Sequence, residues 1–95
     1  MEFFYIYILR CADGSLYVGH TDDLEKRIAE HRAGCGAVYT SKRLPIALVF
    51  SERFPSRDEA FVIERKLKGW SREKKEAFIA NNWEKVRALA KSGVQ

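Results

Sequence analysis

Residues 5–31 read YIYILRCADGSLYVGHTDDLEKRIAEH, and this stretch decides the fold. It begins inside a run from Phe3 to Arg10 of aromatic and β-branched residues, which predicts a strand. Because both alternating sets of side chains are apolar, we expect this strand to be covered on both faces. The Asp13-Gly14 pair suits a tight turn, so Leu16 to His20 is predicted to return as the second strand of a β-hairpin.

The turn decides whether the tyrosines of the two strands share a face of the sheet. A two-residue loop at Asp13-Gly14 would pair Arg10 with Tyr17 and would point Tyr7 away from it. Both tyrosines can line one site only if the connection carries an extra residue or a bulge, which Gly14 can accommodate.

A helix is predicted to follow directly, from about Asp23 to Ala33. Thr21 or Asp22 can cap it, and Glu25 stands three residues after Asp22, as in a capping box. The helix would then begin straight after the second strand.

Within this helix, Leu24, Ile28 and His31 fall at positions i, i+4 and i+7 and define one stripe. Arg27 lies four residues before His31, so the two side chains are neighbours. From the residues alone, we interpret Arg27 as a surface arginine. His31 is interpreted as a half-buried histidine whose cationic form suits a helix C-terminus.

Another strand and further helices follow. Pro45 precedes an apolar strand at Ile46 to Ser51. Ser56 and Glu59 form a second capping box, and Gly69 ends the helix that they begin. Two more helices are predicted, one from Ser71 to about Ala80 and one that Asn81 or Asn82 caps.

The predicted fold is therefore α/β of the α+β type, with a small three-stranded, mainly antiparallel sheet flanked by helices. The strand at 3–10 is expected in the middle, because the helical crossover delivers the strand at 46–51 to its free side. We expect one domain over residues 1–95, with a core at about 4–75 and a helical C-terminal extension at about 76–92. A length of 95 residues with 46% hydrophobic composition suits one such domain.

The helix that begins at Ser56 carries a carboxylate inside its apolar stripe. Ala60, Ile63, Glu64 and Leu67 fall at positions i, i+3, i+4 and i+7. A carboxylate that faces a core is costly unless it is paired or bound to a cation. Two explanations stay open, an ion pair with Arg27 and a metal ligand.

The charge balance favours polyanionic partners. The net charge is +4, from 17 Lys and Arg against 13 Asp and Glu. The longest apolar run, FFYIYIL, is far shorter than the roughly 20 residues of a membrane helix, so we expect no membrane span and a cytoplasmic protein. We also expect a monomer. Cys11 and Cys35 are expected to be free thiols, since a zinc site that joined them to His31 would lack a CxxC pair.

Residues 34–43, GCGAVYTSKR, are predicted to form a loop. No P-loop Lys-Ser or Lys-Thr follows the glycines, so the segment is not a nucleotide cradle. Tyr39, Thr40, Lys42 and Arg43 instead indicate a surface that holds a nucleic-acid backbone or stacks on a base. An ordinary solvated loop is the alternative.

The order of these motifs resembles the GIY-YIG nuclease family, in the form of its small stand-alone bacterial proteins. It is similar to the N-terminal nuclease domain of the excision-repair endonuclease. Tyr17-Val18-Gly19 corresponds to the second family triplet, and Tyr5-Ile6-Tyr7 stands where Gly-Ile-Tyr is expected. Further matches are LEKRIAEH, AVYTSKR and AFVIERKLKGW, and the similarity covers roughly residues 4–75.

The resemblance implies a metal-dependent endonuclease that hydrolyses phosphodiester bonds of DNA, in repair or recombination. Tyr7 or Tyr17 would position or deprotonate the water, and Arg27 would neutralise the nonbridging phosphate oxygens. Glu64 would hold one divalent ion, Mg²⁺ or Mn²⁺, which keeps several waters when protein ligands are few. His31 is a further catalytic candidate.

Two positions depart from the family pattern. His20 stands where many relatives have a lysine, and it is taken as another catalytic candidate. An asparagine is often found beyond the metal glutamate, whereas here only Asn81 and Asn82 are present. Nicked DNA, branched DNA and RNA are all open as substrates. The competing interpretations are a nucleic-acid-binding module with weak chemistry and a protein-interaction domain.

Overall fold

The computed structural model describes residues 3–92 of the chain. Eight elements follow in order: β1 (Phe4–Arg10), β2 (Leu16–Thr21), α1 (Leu24–Arg32), α2 (Val38–Ser41), β3 (Ala47–Phe54), α3 (Arg57–Gly69), α4 (Arg72–Ile79) and α5 (Trp83–Ser92). No helix within this described range is long and apolar enough to cross a membrane.

The sheet has three strands in the order β2-β1-β3, and both pairings are antiparallel. The predicted middle strand and the predicted fold class are confirmed. A register shift between Ile8 and Leu9, which pair with Phe50 and Leu48, marks a bulge in β3 at Val49. Since β3 stays paired with β1 as far as Phe54, it runs beyond the predicted end at Ser51.

The two faces of β1 carry two separate cores, as the apolar character of both faces predicts. Ile6 and Ile8 pack with residues of β2 and α3, whereas Tyr7 and Leu9 pack with Ile28 of α1. All four β1 side chains are 1% exposed or less. The second core contains a tyrosine, so a polar hydroxyl lies between β1 and α1 and needs a partner there.

The hairpin turn spans residues 11–15 rather than the two residues at Asp13-Gly14. Arg10 therefore pairs with Leu16, and Leu9 pairs with Tyr17. Gly14 has a φ of 85°, the conformation for which glycine is suited. This register places Tyr7 and Tyr17 on the same face of the sheet, so both tyrosines can line one site.

The helix caps partly follow the predictions. Ser56 and Ser71 cap α3 and α4 through their hydroxyls. Asp23 caps α1 by accepting from the Lys26 N–H at 3.2 Å, so the assignment of that cap to Thr21 or Asp22 was wrong. Asn82 accepts from the Lys85 N–H at 3.2 Å at the start of α5.

The segment at 34–43 is not a plain loop, because it contains the one-turn helix α2. Hydroxyls bond back to carbonyls three residues earlier: Thr40 Oγ1 donates to the Ala37 carbonyl at 3.2 Å, and Ser41 Oγ donates to the Val38 carbonyl at 2.8 Å. Such short-range bonds stabilise a single helical turn, which the sequence does not indicate by any helical pattern of apolar residues.

Candidate active site

The centre of the site is the hydroxyl of Tyr7, which projects from β1 toward α1. It lies 2.8 Å from Nε2 of His31, a residue of α1. Tyr7 is 1% exposed and His31 is 0% exposed, so His31 is fully buried rather than half-buried as the sequence analysis expected. A buried hydroxyl and a buried imidazole satisfy each other here.

Thr40 of α2 completes this arrangement from the other side of the imidazole. Its Oγ1 lies 2.8 Å from Nδ1 of His31, and the Thr40 side chain is also 0% exposed. The predicted role of Thr40 in a nucleic-acid surface is therefore corrected, because its hydroxyl faces His31 and not the solvent. We call Tyr7, His31 and Thr40 the inner triad.

Two glycines allow the inner triad to pack this closely. A Cβ atom at Gly19 would lie 2.5 Å from Oη of Tyr7, and one at Gly36 would lie 2.6 Å from Cγ of His31. Both contacts are far shorter than real Cβ atoms tolerate, so only glycine fits at either position.

Arg27, Tyr17 and Glu64 all lie near enough to act on the Tyr7 hydroxyl electrostatically. Burial raises the pKa of Tyr7 above its ordinary value, and interaction with the Arg27 guanidinium partly opposes that rise. Tyr17 and Glu64 push the Tyr7 pKa upward. Side chains from β2, α1 and α3 thus act on the hydroxyl of one β1 residue.

Arg27 is oriented by two neighbours, Tyr7 of β1 and Glu30 of its own helix. Hydrogen bonding to Tyr7 is the main cause that raises the pKa of Arg27, and Glu30 contributes as well. The guanidinium Nη1 donates to Glu30 Oε1 at 3.1 Å. The Arg27 side chain remains 31% exposed, so the cation is anchored and still reachable by a phosphate.

Glu64 of α3 is 4% exposed, as its place in the apolar stripe predicts. One carboxylate oxygen lies 2.7 Å from Nδ1 of His20, and the other lies 3.2 Å from Nζ of Lys68. Glu64 is thus paired with His20 and Lys68 and not with Arg27, the ion-pair partner suggested by the sequence. We call His20, Glu64 and Lys68 the outer cluster.

The donor set at Glu64 fits a hard divalent ion only in a limited way. No group of three or more His, Cys, Asp or Glu side chains in residues 3–92 is arranged to enclose a metal. Glu64 could hold Mg²⁺ or Mn²⁺ as a single carboxylate, with water and substrate phosphate as the other ligands. Both partners of Glu64 are at least 39% exposed and are free to swing away from it.

An open groove of about 690 Å³ lies beside these groups. His20 and Arg27 line it together with Lys26, and so do acidic residues of the β2–α1 connection and α1. The groove gives solvent and ligands access to Arg27. Asn81 and Asn82 do not belong to it: Asn81 accepts from the Trp83 indole at 2.6 Å, and Asn82 caps α5.

Tyr17 contacts both His31 of the inner triad and Tyr39 of α2. Its ring stands edge-on to His31 with centroids 5.4 Å apart, and it stacks on Tyr39 at 6.0 Å. The Arg43 guanidinium lies 3.8 Å from the Tyr39 ring centroid and donates to Asp13 at 3.2 Å. Lys42 is exposed beside them. Tyr39, Lys42 and Arg43 therefore form an outward patch that adjoins the site.

The two cysteines differ in their exposure to solvent. Cys11 is buried and Cys35 is exposed, and both are free thiols. Cys11 packs in the apolar core that also contains Leu9 and Ile46.

The GIY-YIG catalytic domain matches residues 3–77, and the chain belongs to that family. A UPF0213 protein of Bacillus pumilus is 48% identical over 75 residues, 79% of this chain and 76% of the relative. One from Natronomonas pharaonis is 49% identical over 77 residues, 81% of this chain and 91% of the relative.

A solved structure supports the same assignment. The solution NMR structure of the UPF0213 protein BH0048 from Bacillus halodurans is 46% identical, with a TM-score of 0.56. The match covers 82% of this chain and 83% of that one. The resemblance seen in the sequence is confirmed, and family membership indicates nuclease-type function with nucleic acid as the partner class.

Proposed function

We propose that the protein is a metal-dependent endonuclease that hydrolyses phosphodiester bonds of DNA, of the kind used in repair or recombination. The observation that carries this proposal is that Tyr17, Arg27 and Glu64 all act electrostatically on the buried Tyr7 hydroxyl, and that Arg27 also lines an open groove. A nucleophile guide, a phosphate-binding cation and a metal ligand are the three services that such hydrolysis needs.

Each residue has a separate task in this mechanism. Arg27, anchored by Glu30 and Tyr7, neutralises the nonbridging oxygens of the scissile phosphate. Tyr17 is only half-buried, unlike Tyr7, so Tyr17 is the tyrosine that orients the attacking water. Glu64 would hold the divalent ion, whose chemistry is to stabilise charge on the leaving oxygen.

The patch of Tyr39, Lys42 and Arg43 would hold the DNA next to the reacting phosphate. An exposed aromatic ring under a guanidinium offers a stacking surface, and the two cations attract the backbone. Because Tyr39 stacks on Tyr17, nucleic acid bound at this patch lies next to the water-orienting side chain.

A second candidate is a nucleic-acid-binding module with weak chemistry. The outer cluster favours it, because both oxygens of Glu64 are already occupied by His20 and Lys68. A metal would have to displace at least one of these side chains.

The test is incubation of the protein with nicked, branched and duplex DNA, and with RNA, with and without Mg²⁺ or Mn²⁺. We expect cleavage that requires the ion. Glu64→Ala should lower the cleavage rate by about 1,000-fold, since several kcal/mol of transition-state stabilisation are removed. Glu52→Ala, which changes an exposed carboxylate on β3, is the matched control and should cleave normally.

Binding to these nucleic acids without cleavage under any condition would overturn the endonuclease proposal and leave the binding module. An absence of both binding and cleavage would overturn both functions.

A further inference from the structure

The hydrogen bonds of Thr40 determine which nitrogen of His31 carries the proton. Thr40 Oγ1 lies 3.2 Å from the carbonyl oxygen of Ala37, which can only accept, so the hydroxyl proton of Thr40 is used there. The same oxygen lies 2.8 Å from Nδ1 of His31. His31 must therefore donate from Nδ1, because Thr40 has no second proton to give.

The other imidazole nitrogen then has a lone pair. In a neutral histidine only one ring nitrogen carries a proton, and burial together with the nearby Arg27 lowers the pKa of His31, which keeps the ring neutral near pH 7. Nε2 lies 2.8 Å from the Tyr7 hydroxyl, so Tyr7 donates to it. The chain of donors runs from Tyr7 through His31 and Thr40 to the Ala37 carbonyl.

This direction matters at Arg27. A tyrosine hydroxyl has one proton and two lone pairs, whereas a guanidinium has donors only. When the Tyr7 proton points at His31, the lone pairs of Tyr7 are available to Arg27. In the opposite tautomer, Nε2–H would donate to Tyr7, and the displaced Tyr7 proton would compete with the donors of Arg27.

We propose that Thr40 is a positioning residue that fixes His31 in the Nδ1–H tautomer, and that His31 in turn directs the lone pairs of Tyr7 toward the Arg27 guanidinium. Thr40 touches no substrate and acts through two buried side chains. Only the use of Arg27 on a phosphate rests on the proposed function. The tautomer and the orientation of Arg27 are properties of the folded protein alone.

The surroundings leave little freedom for another arrangement. Gly36 packs against one side of the imidazole so closely that a Cβ atom there would lie 2.6 Å from Cγ. The charged and titratable groups that act on His31 are Arg27 and Glu30, and those that act on Tyr7 are Arg27, Tyr17 and Glu64. Of these groups, only Arg27 hydrogen-bonds to the inner triad, at Tyr7, and its nitrogens can only donate.

The experiment compares the wild type with two substitutions at Thr40 by nuclear magnetic resonance of ¹⁵N-labelled histidine and arginine. Thr40→Ser keeps the hydroxyl, whereas Thr40→Val keeps the shape and removes the acceptor. Ser41→Ala is the matched control, because Ser41 also bonds back within α2 but does not contact His31. A chemical denaturation curve shows that each variant is folded.

We expect the wild type, Thr40→Ser and Ser41→Ala to show His31 protonated at Nδ1 and slow rotation of the Arg27 guanidinium. Thr40→Val should shift His31 toward the Nε2–H form and speed that rotation. The proposal is overturned if the folded wild type has the Nε2–H tautomer, or if folded Thr40→Val keeps both signals of the wild type.

Cleavage adds a separate readout. Thr40→Val should lower kcat by about 10-fold, the size of one lost charge-assisted hydrogen bond, while Thr40→Ser stays within about 2-fold. A wild type that cleaves nothing would defeat the proposed function and not this inference, since the two resonance signals decide the inference without any substrate.

Discussion

The inner triad and the outer cluster each contain a buried polar side chain, His31 in the first and Glu64 in the second. The hydrogen-bonding partners of His31 are buried, whereas those of Glu64 are exposed to solvent. His31 is held by two neutral partners that are themselves at most 1% exposed. Glu64 is held by two basic side chains, His20 and Lys68, that are 39% and 55% exposed. The first arrangement is sealed and defined by geometry, whereas the second is open to solvent and can exchange its partners for a ligand.

The difference should appear most strongly in stability. His31→Ala removes packing and leaves the hydroxyls of Tyr7 and Thr40 without their partner, so we expect a loss of about 3 kcal/mol or more. Glu64→Ala should cost about 1 kcal/mol or less, because His20 and Lys68 can both turn to water. Denaturant unfolding of both variants measures the contrast, and equal losses would contradict it.

A smaller effect is expected at the glycines that pack against the inner triad. Gly36→Ala and Gly19→Ala force a methyl group into His31 and Tyr7, and each should cost about 1–3 kcal/mol. Gly69→Ala, at the end of α3, meets nothing within 4 Å and is the control. It should be neutral or stabilising by up to about 1 kcal/mol. Unchanged stability in Gly36→Ala would show that the triad is looser than its distances indicate.

Acid should weaken the inner triad through His31. Burial lowers the pKa of folded His31 below its ordinary value, so the unfolded chain binds more protons as the pH falls below about 6.5. The contribution of neutral His31 to the free energy of unfolding should therefore be complete above that pH and should decline below it. Unfolding curves at a series of pH values test this in a His20→Gln background, which removes the other histidine. A stability that stays flat through this window would contradict the neutral, buried state of His31.

The smallest effect concerns DNA affinity. Arg27→Ala should bind DNA modestly more weakly and reduce the log-log salt slope by up to about one unit, for one lost phosphate contact. Glu64→Ala should bind equally or slightly more tightly, because a negative charge leaves a phosphate site. Arg32→Ala, an exposed arginine at the end of the same helix, is the control for charge alone. If Arg27→Ala and Arg32→Ala behave alike, Arg27 has no special phosphate contact.

By itself, the sequence determined the elements of this protein except the one-turn helix α2, because local signals decide them. The run of aromatic and β-branched residues from Phe3 to Arg10 predicts a central strand, and the serine caps at Ser56 and Ser71 predict where α3 and α4 begin. The helical period also places Glu64 inside a buried stripe, and the order of the motifs identifies the family. These properties depend on residues that are close in the chain.

Only the tertiary structure decided which polar groups meet. The turn at residues 11–15 sets the parity that brings Tyr17 to the face of Tyr7, and a local pattern cannot count the residues of an irregular turn. Thr40 lies nine positions after His31 in a stretch without any period, so its turn inward could not be read from composition. Glu64 meets His20 instead of Arg27 because α3 packs against β2, whereas its second partner, Lys68, is the i+4 residue of the same helix.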